Sequence, residues 1–251
     1  MIKKSYYILV FIICVACSSE NANDCFQTSG SIIQTTFPVS EFTKIQIEGE
    51  VSLIIKQGAV QEVLVETGEN LLSSVFVDVV GETLVIRDES TCNLVRDYGI
   101  TKVFVTTPNV NSLRNSSTYD ITSDGVLNFP ELSSVSNTTG GIENVRKGGD
   151  FYLSLDCENL IVNANGQSVF YLSGIAINTQ ISFTDEAPRF EGAELQIGEL
   201  AIFQRSANKI IVNPQNRIVG EIRGTGDVIA VNEPPVVEVE QFFTGQLIFQ
   251  E

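Results

Sequence analysis

The side chains here that could do chemistry are carboxylates and cysteines. Acids gather at Asp185 and Glu186, at Glu191 and Glu194, at Glu238 and Glu240, and at Asp156 and Glu158. Two acids at a set separation are what glycoside cleavage requires, one to protonate the leaving oxygen and one to attack or to activate water. A chain with 31 Asp and Glu against 15 Lys and Arg also makes such neighbours by chance, and a solvated strand face is their default role. None can be named as catalytic acid or base. Histidine is absent, which removes Ser-His and Cys-His nucleophiles, His-bound zinc and an imidazole pH switch. The net charge of −16 argues against a nucleic-acid partner.

Gly224-Thr225-Gly226-Asp227-Val228 invites comparison with calcium-binding Gly/Asp repeats. Those stack ligands from consecutive copies, whereas here most equivalents lack the Asp, as at Gly166-Gln167-Ser168 and Ala207-Asn208-Lys209. A glycine turn whose Asp bonds to nearby backbone N–H groups explains the motif as well. The expectation is no metal, no cofactor and no catalytic residue.

There are five cysteines. Lys3 and Lys4 precede an apolar run from Tyr6 to Ala16, and the chain turns polar at Ser18. This is the layout of a secretory signal, too short for a helix that spans a bilayer. The boundary Cys14-Val15-Ala16-Cys17 resembles the lipobox of bacterial lipoproteins, which implies cleavage before Cys17 and lipidation of that residue. Of the rest, Cys157 lies on the apolar side of an alternating stretch and reads as a buried, inert thiol. Cys25 and Cys92, both in polar irregular stretches, remain as a disulfide pair that export would permit. Residues 17–36 are rich in Ser, Asn, Gln and Thr and read as a polar tether.

The elements that must hold these groups are strands. Ile45, Ile47, Val51, Leu53 and Ile55 share one parity, and Val75, Val77 and Val79 repeat it. Period-two patterning with β-branched residues signals half-buried strands. Beyond Asn111 the strands shorten, and polar clusters run into an apolar residue at Ile121, Ile142, Val169, Phe190, Ile210 and Val228. A period of about 20 residues suits one coil of a parallel β-solenoid, in which stacked coils hide one another's apolar side chains. A β-sandwich is the main competitor, but it has no reason to repeat the polar clusters. Asn115-Ser116-Ser117-Thr118 and Ser133 to Thr139 are candidates for a flat polar binding surface or for stacked solvent-facing turns. Phe242 and Phe243, after Pro234-Pro235, are candidates to close the end of the stack or to form a docking patch.

Phe42-Thr43-Lys44-Ile45-Gln46-Ile47-Glu48-Gly49, Val65-Glu66-Thr67-Gly68 and Val103-Phe104-Val105-Thr106-Thr107-Pro108 resemble the opening strands of the head GIN domain family. Gly224-Thr225-Gly226-Asp227-Val228 resembles its recurring coil motif. The resemblance covers roughly residues 37–251 and implies a right-handed parallel β-helix, a surface or periplasmic location and no established reaction.

Together these features give a signal at 1–16, a tether at 17–36 and an all-β domain at 37–251, a right-handed parallel β-helix with a more regular N-terminal portion. The expected protein is anchored to the outer membrane by its lipid, at the cell surface or on the periplasmic face. There it acts as a non-enzymatic binding or adhesion module with a glycan or protein ligand. An exported polysaccharide-active enzyme and a purely structural envelope protein are the alternatives.

Overall fold

The computed structural model describes residues 24–90, 92–142 and 145–250. The expected signal and Cys17 lie outside them. The body is all-β, a single curled mixed sheet. Its strands in chain order are β1 (Ile32–Thr36), β2 (Lys44–Gly49), β3 (Ser52–Gln57), β4 (Glu62–Gly68), β5 (Val75–Val80), β6 (Thr83–Asp88), β7 (Lys102–Thr107), β8 (Ser112–Ser117) and β9 (Ile121–Leu127). There follow β10 (Glu131–Ser136), β11 (Phe151–Ala164), β12 (Val169–Phe183), β13 (Arg189–Gln204), β14 (Ile210–Ile222), β15 (Val228–Ala230), β16 (Val236–Gln241) and β17 (Leu247–Phe249). Alternation decides the inner face. In β2, Ile45 and Ile47 are buried while their neighbours are partly exposed.

The parallel pairs make two stacks. One runs β6, β2, β8, β10, then the second halves of β11 to β14, then β16. The other runs β7, β3, β9, then the first halves of β11 to β14, then β15 and β17. Each of the four long strands serves both stacks, and one pass through both makes a layer. Antiparallel pairs finish the N-terminal end, with β4 on β7, β1 on β4 and β5 on β6.

Register places like residues over like residues. Val103, Leu53, Ile121, Phe151, Phe170, Phe190, Ile210 and Val228 form one continuous buried column. The Phe151 and Phe170 rings stack with centroids 4.6 Å apart and planes 12° from parallel. That separation matches the ~4.8 Å between paired strands. Backbone pairing and ring contact thus reinforce each other. A second column passes through Leu84, Ile45, Leu113, Ser134, Val162, Ile181, Ile202 and Gly220.

Several expectations are corrected. Ile142 starts no layer: Ile121 pairs with Phe151, and the polar segment between β10 and β11 is a connection turned at Gly140 and Gly141, both at positive φ. In β12 the inward residue is Phe170, not Val169. Part of the expected tether is ordered, since β1 runs along β4 from Ile32 opposite Gly68 to Thr36 opposite Leu64. An edge strand of this kind is held by backbone bonds and buries little, so its sequence carries no apolar period. Finally, layers do not follow chain order throughout. The layer β2–β3 lies between β6–β7 on one side and β8–β9 on the other.

Gly174 shows how closely the layers approach. Its φ is +104°, and a Cβ there would sit 2.0 Å from the Leu155 carbonyl oxygen of the preceding layer. Gly148, in contrast, has open space where a Cβ would go. Gly174→Ala should lower unfolding free energy by roughly 1–3 kcal/mol from backbone strain alone, with the clash adding to it. Gly148→Ala should leave the urea midpoint unchanged. Equal midpoints for both variants would refute the close approach.

Candidate functional site

The structure disperses the acids singled out above. Glu191 pairs with Arg189, Glu186 with Lys147 at 2.5 Å, and Glu238 with Arg217 at 2.5 Å. Asp185 accepts the backbone N–H of Glu186 at 2.9 Å. Asp156 and Glu158 are exposed where β11 passes from one stack to the other, and Glu194 is exposed on β13. Glu240 is exposed on the terminal strand β16. These groups are surface ion pairs and solvated carboxylates, spread over both stacks. Among the described residues no group of three or more Asp, Glu or Cys side chains is placed to share a metal ion.

Asp227 has a structural task. Its Oδ1 accepts the Gln246 N–H of the next layer at 2.9 Å. The same bond recurs where Asp150 accepts from Val169 at 2.7 Å and Asp120 accepts from Asp150 at 2.9 Å. Each Asp precedes the first core residue of a layer, so its carboxylate caps the strand entry of the next one. Burial pushes the Asp150 carboxyl up, the Val169 N–H that favours its charged form opposes this, and the Asp120 carboxylate adds a smaller upward push.

The Ser/Thr/Asn stretches are largely interior rather than a continuous surface, with Ser133 alone facing the outward side of β10 before the buried run. Asn115, Ser116, Ser117, Ser134 and Ser136 are buried, and only the ends of the stretches, such as Thr118 and Thr139, are exposed. Ser117 Oγ donates toward the backbone oxygens of Gly49 and Val51, and Ser136 and Ser168 share a hydrogen bond of 2.7 Å. Ser117 thus satisfies backbone inside the turn, while Ser136 and Ser168 satisfy each other between layers. Ser116 Oγ, Ser134 Oγ and Thr179 Oγ1 are buried with no protein partner among the described residues.

Cys25 and Cys92 form a disulfide across 67 residues of sequence, tying the start of the described chain to the segment between β6 and β7. Constraining a loop of that length in the unfolded state is worth about 4 kcal/mol. Cys157 is a buried free thiol, and burial, then the Asp156 carboxylate, push it up to about 11. Phe242 and Phe243 do not close the stack. They are 50% and 63% exposed, with the Arg223 guanidinium 3.9 Å above the Phe242 ring, while Val239, Leu247 and Phe249 pack on the core.

What the sequence reading missed is a trough of about 660 Å³ on the outside of the first stack. One wall is a row of polar side chains in cross-strand register, Glu131, Asn159, Asn178, Glu199 and Arg217, and Asn111 also lines the trough. The next outward row, Ser133, Ile161, Gln180, Ala201 and Val219, mixes polar and apolar groups. Asn178 Nδ2 donates to Asn159 Oδ1 at 3.1 Å, so neighbouring amides chain together. A signal was present, because a polar residue immediately precedes the inward residue of each layer, as in Asn159-Leu160, Glu199-Leu200 and Arg217-Ile218. Only the register shows that these residues align.

A curled sheet of stacked parallel strands, finished by antiparallel strands and bearing long outward rows of side chains, defines an all-β scaffold. The chain belongs to the family described as putative auto-transporter adhesin, head GIN domain, which matches residues 41–234. No curated protein matches it. Among solved structures, a putative adhesin from Bacteroides fragilis NCTC 9343 superposes with a TM-score of 0.79 at 18% identity, covering 89% of this chain and 99% of that one. A putative lipid binding protein from Parabacteroides distasonis ATCC 8503 gives a TM-score of 0.64 at 14% identity, over 88% and 98% of the two chains. A putative adhesin from the same organism gives 0.64 at 12%, over 89% and 99%. At these identities the likeness is one of fold.

Two outcomes follow for the groups described. Asp150→Asn keeps the acceptor for Val169 and removes the buried charge, so its urea midpoint should match or exceed the parent's, whereas Asp227→Ala should cost about 1 kcal/mol. A large loss in Asp150→Asn would contradict the capping account. The Cys157 thiol is raised on folding, so its contribution to stability is full below the unfolded value near 9 and declines as pH rises toward about 11. A thiol reagent at pH 8 should therefore modify Cys157 only after unfolding, as read by mass spectrometry.

Proposed function

We propose that this chain is a lipid-anchored, right-handed β-solenoid of the cell envelope that acts as a non-enzymatic binding or adhesion module. The observation that carries the reading is the trough, where side chains from successive layers line up outside the sheet while the acids are scattered and ion-paired. An open surface built from repeated layers suits an extended partner. It offers no enclosed cleft in which an acid and a base face one substrate atom. The parallel register at a step of about 20 residues supports the solenoid description, and the usual right-handedness of parallel crossovers supports its hand. Membership in a family described as adhesins agrees with a binding role, and the lipobox-like Cys14-Val15-Ala16-Cys17 supports the anchor.

Replacing Cys17 with Ser should move the full-length protein from the membrane fraction to the soluble one on cell fractionation. Protease added to intact cells should remove the domain from the parent strain, and the deletion strain should adhere less to a surface coated with envelope polysaccharide or protein. Unchanged adherence after deletion would overturn the binding reading, and release of shortened glycan would overturn the non-enzymatic one.

A further inference from the structure

We infer that the trough binds a neutral glycan chain lying along the stacking direction, across the strands; this rests on the binding-module reading above and names the ligand class of that site. Five strands from β10 to β14, with Asn111 just ahead of β8, contribute to it. At ~4.8 Å between neighbouring strands the polar row extends over roughly 19 Å. A polymer running along that row meets an equivalent position at each layer, with a spacing close to the rise of one sugar unit.

The chemistry of the lining selects among polymers. In the trough the strands pair on both sides, β10 with β8 and β11, β12 with β11 and β13, and β14 with β13 and β16, so their backbone groups are already bonded. A peptide that adds as a strand needs a free edge, and this face has none to give. Only side chains meet the ligand. Asn159, Asn178 and Gln180 both donate and accept, as sugar hydroxyls do. Ile161, 40% exposed, and Val219 offer apolar contact to the C–H faces of a sugar ring. Glu199 stands in the polar row, and Arg217, the cation beside it, is bound by Glu238. Polyanions such as uronic-acid polymers are therefore repelled, as they are by a net charge of −16.

The test uses the detergent-solubilised full-length protein on immobilised oligosaccharides. The panel holds neutral glucan, mannan, xylan and N-acetylglucosamine chains of two to eight units, with polygalacturonate and an unrelated extended peptide as comparators. At least one neutral series should be retained, with affinity rising with length until the trough is filled. Asn178→Ala and Gln180→Ala should each weaken retention about three- to tenfold while the melting curve stays that of the parent; these are exposed, outward positions, so folding is preserved. Retention of polygalacturonate or peptide in preference to every neutral chain would overturn the assignment, as would neutral binding indifferent to both substitutions. If no carbohydrate is retained while the deletion strain still loses adherence, the glycan assignment fails and the binding-module reading stands. If adherence is also unchanged, both fail.

Discussion

The structure depends on parallel backbone pairing in a register that sets each inward side chain over its counterpart in the next layer. A single layer has two strands' worth of apolar side chains and nothing within itself to cover them. Pairing supplies the cover, because the next layer arrives about 4.8 Å away, a distance at which Phe rings and aliphatic chains touch. Phe151 on Phe170 is the plainest instance. The same translation that stacks the core also stacks the outside, so any outward position is repeated as a row. Core and surface are thus products of one register, and the trough is its outward expression.

That register has to be set and held. Tight approaches such as Gly174 under Leu155 and Gly220 under Ile202 require glycine because the carbonyl of one layer lies where a Cβ of the next would be. The recurring Asp at the layer entry does the complementary job, bonding forward to the N–H one layer on. Both devices act between layers rather than within them. Sliding by one residue would turn the core outward and break them together.

Alternation made the strands legible, and the columns of large apolar residues showed as a period near 20. The sequence failed where polar residues serve the interior. Ser134 and Ser136 look like surface and are buried, because the register sets them inside the stack, where Ser136 bonds the Ser168 hydroxyl across layers that no local pattern brings together. Ile142 looked like a layer because a Gly-rich connection ending in an aliphatic residue imitates a layer entry. β1 reads as tether because a strand held by main-chain bonds needs no apolar stripe. The trough left only a faint trace, the polar residue before each inward one, for a related reason. Its residues are ordinary one by one, and only cross-strand alignment makes them a site.

The placement of β2–β3 between layers formed by later segments has a consequence for how the molecule comes into being. These strands are made early, yet their partners lie in residues 83–127, so a chain emerging N-terminus first cannot settle them until that stretch has followed. The layers from β11 onward face no such wait, since each lies against the one before it. The order of pairing thus asks for one long-range closure near the beginning, after which each later layer needs only the neighbour already in place.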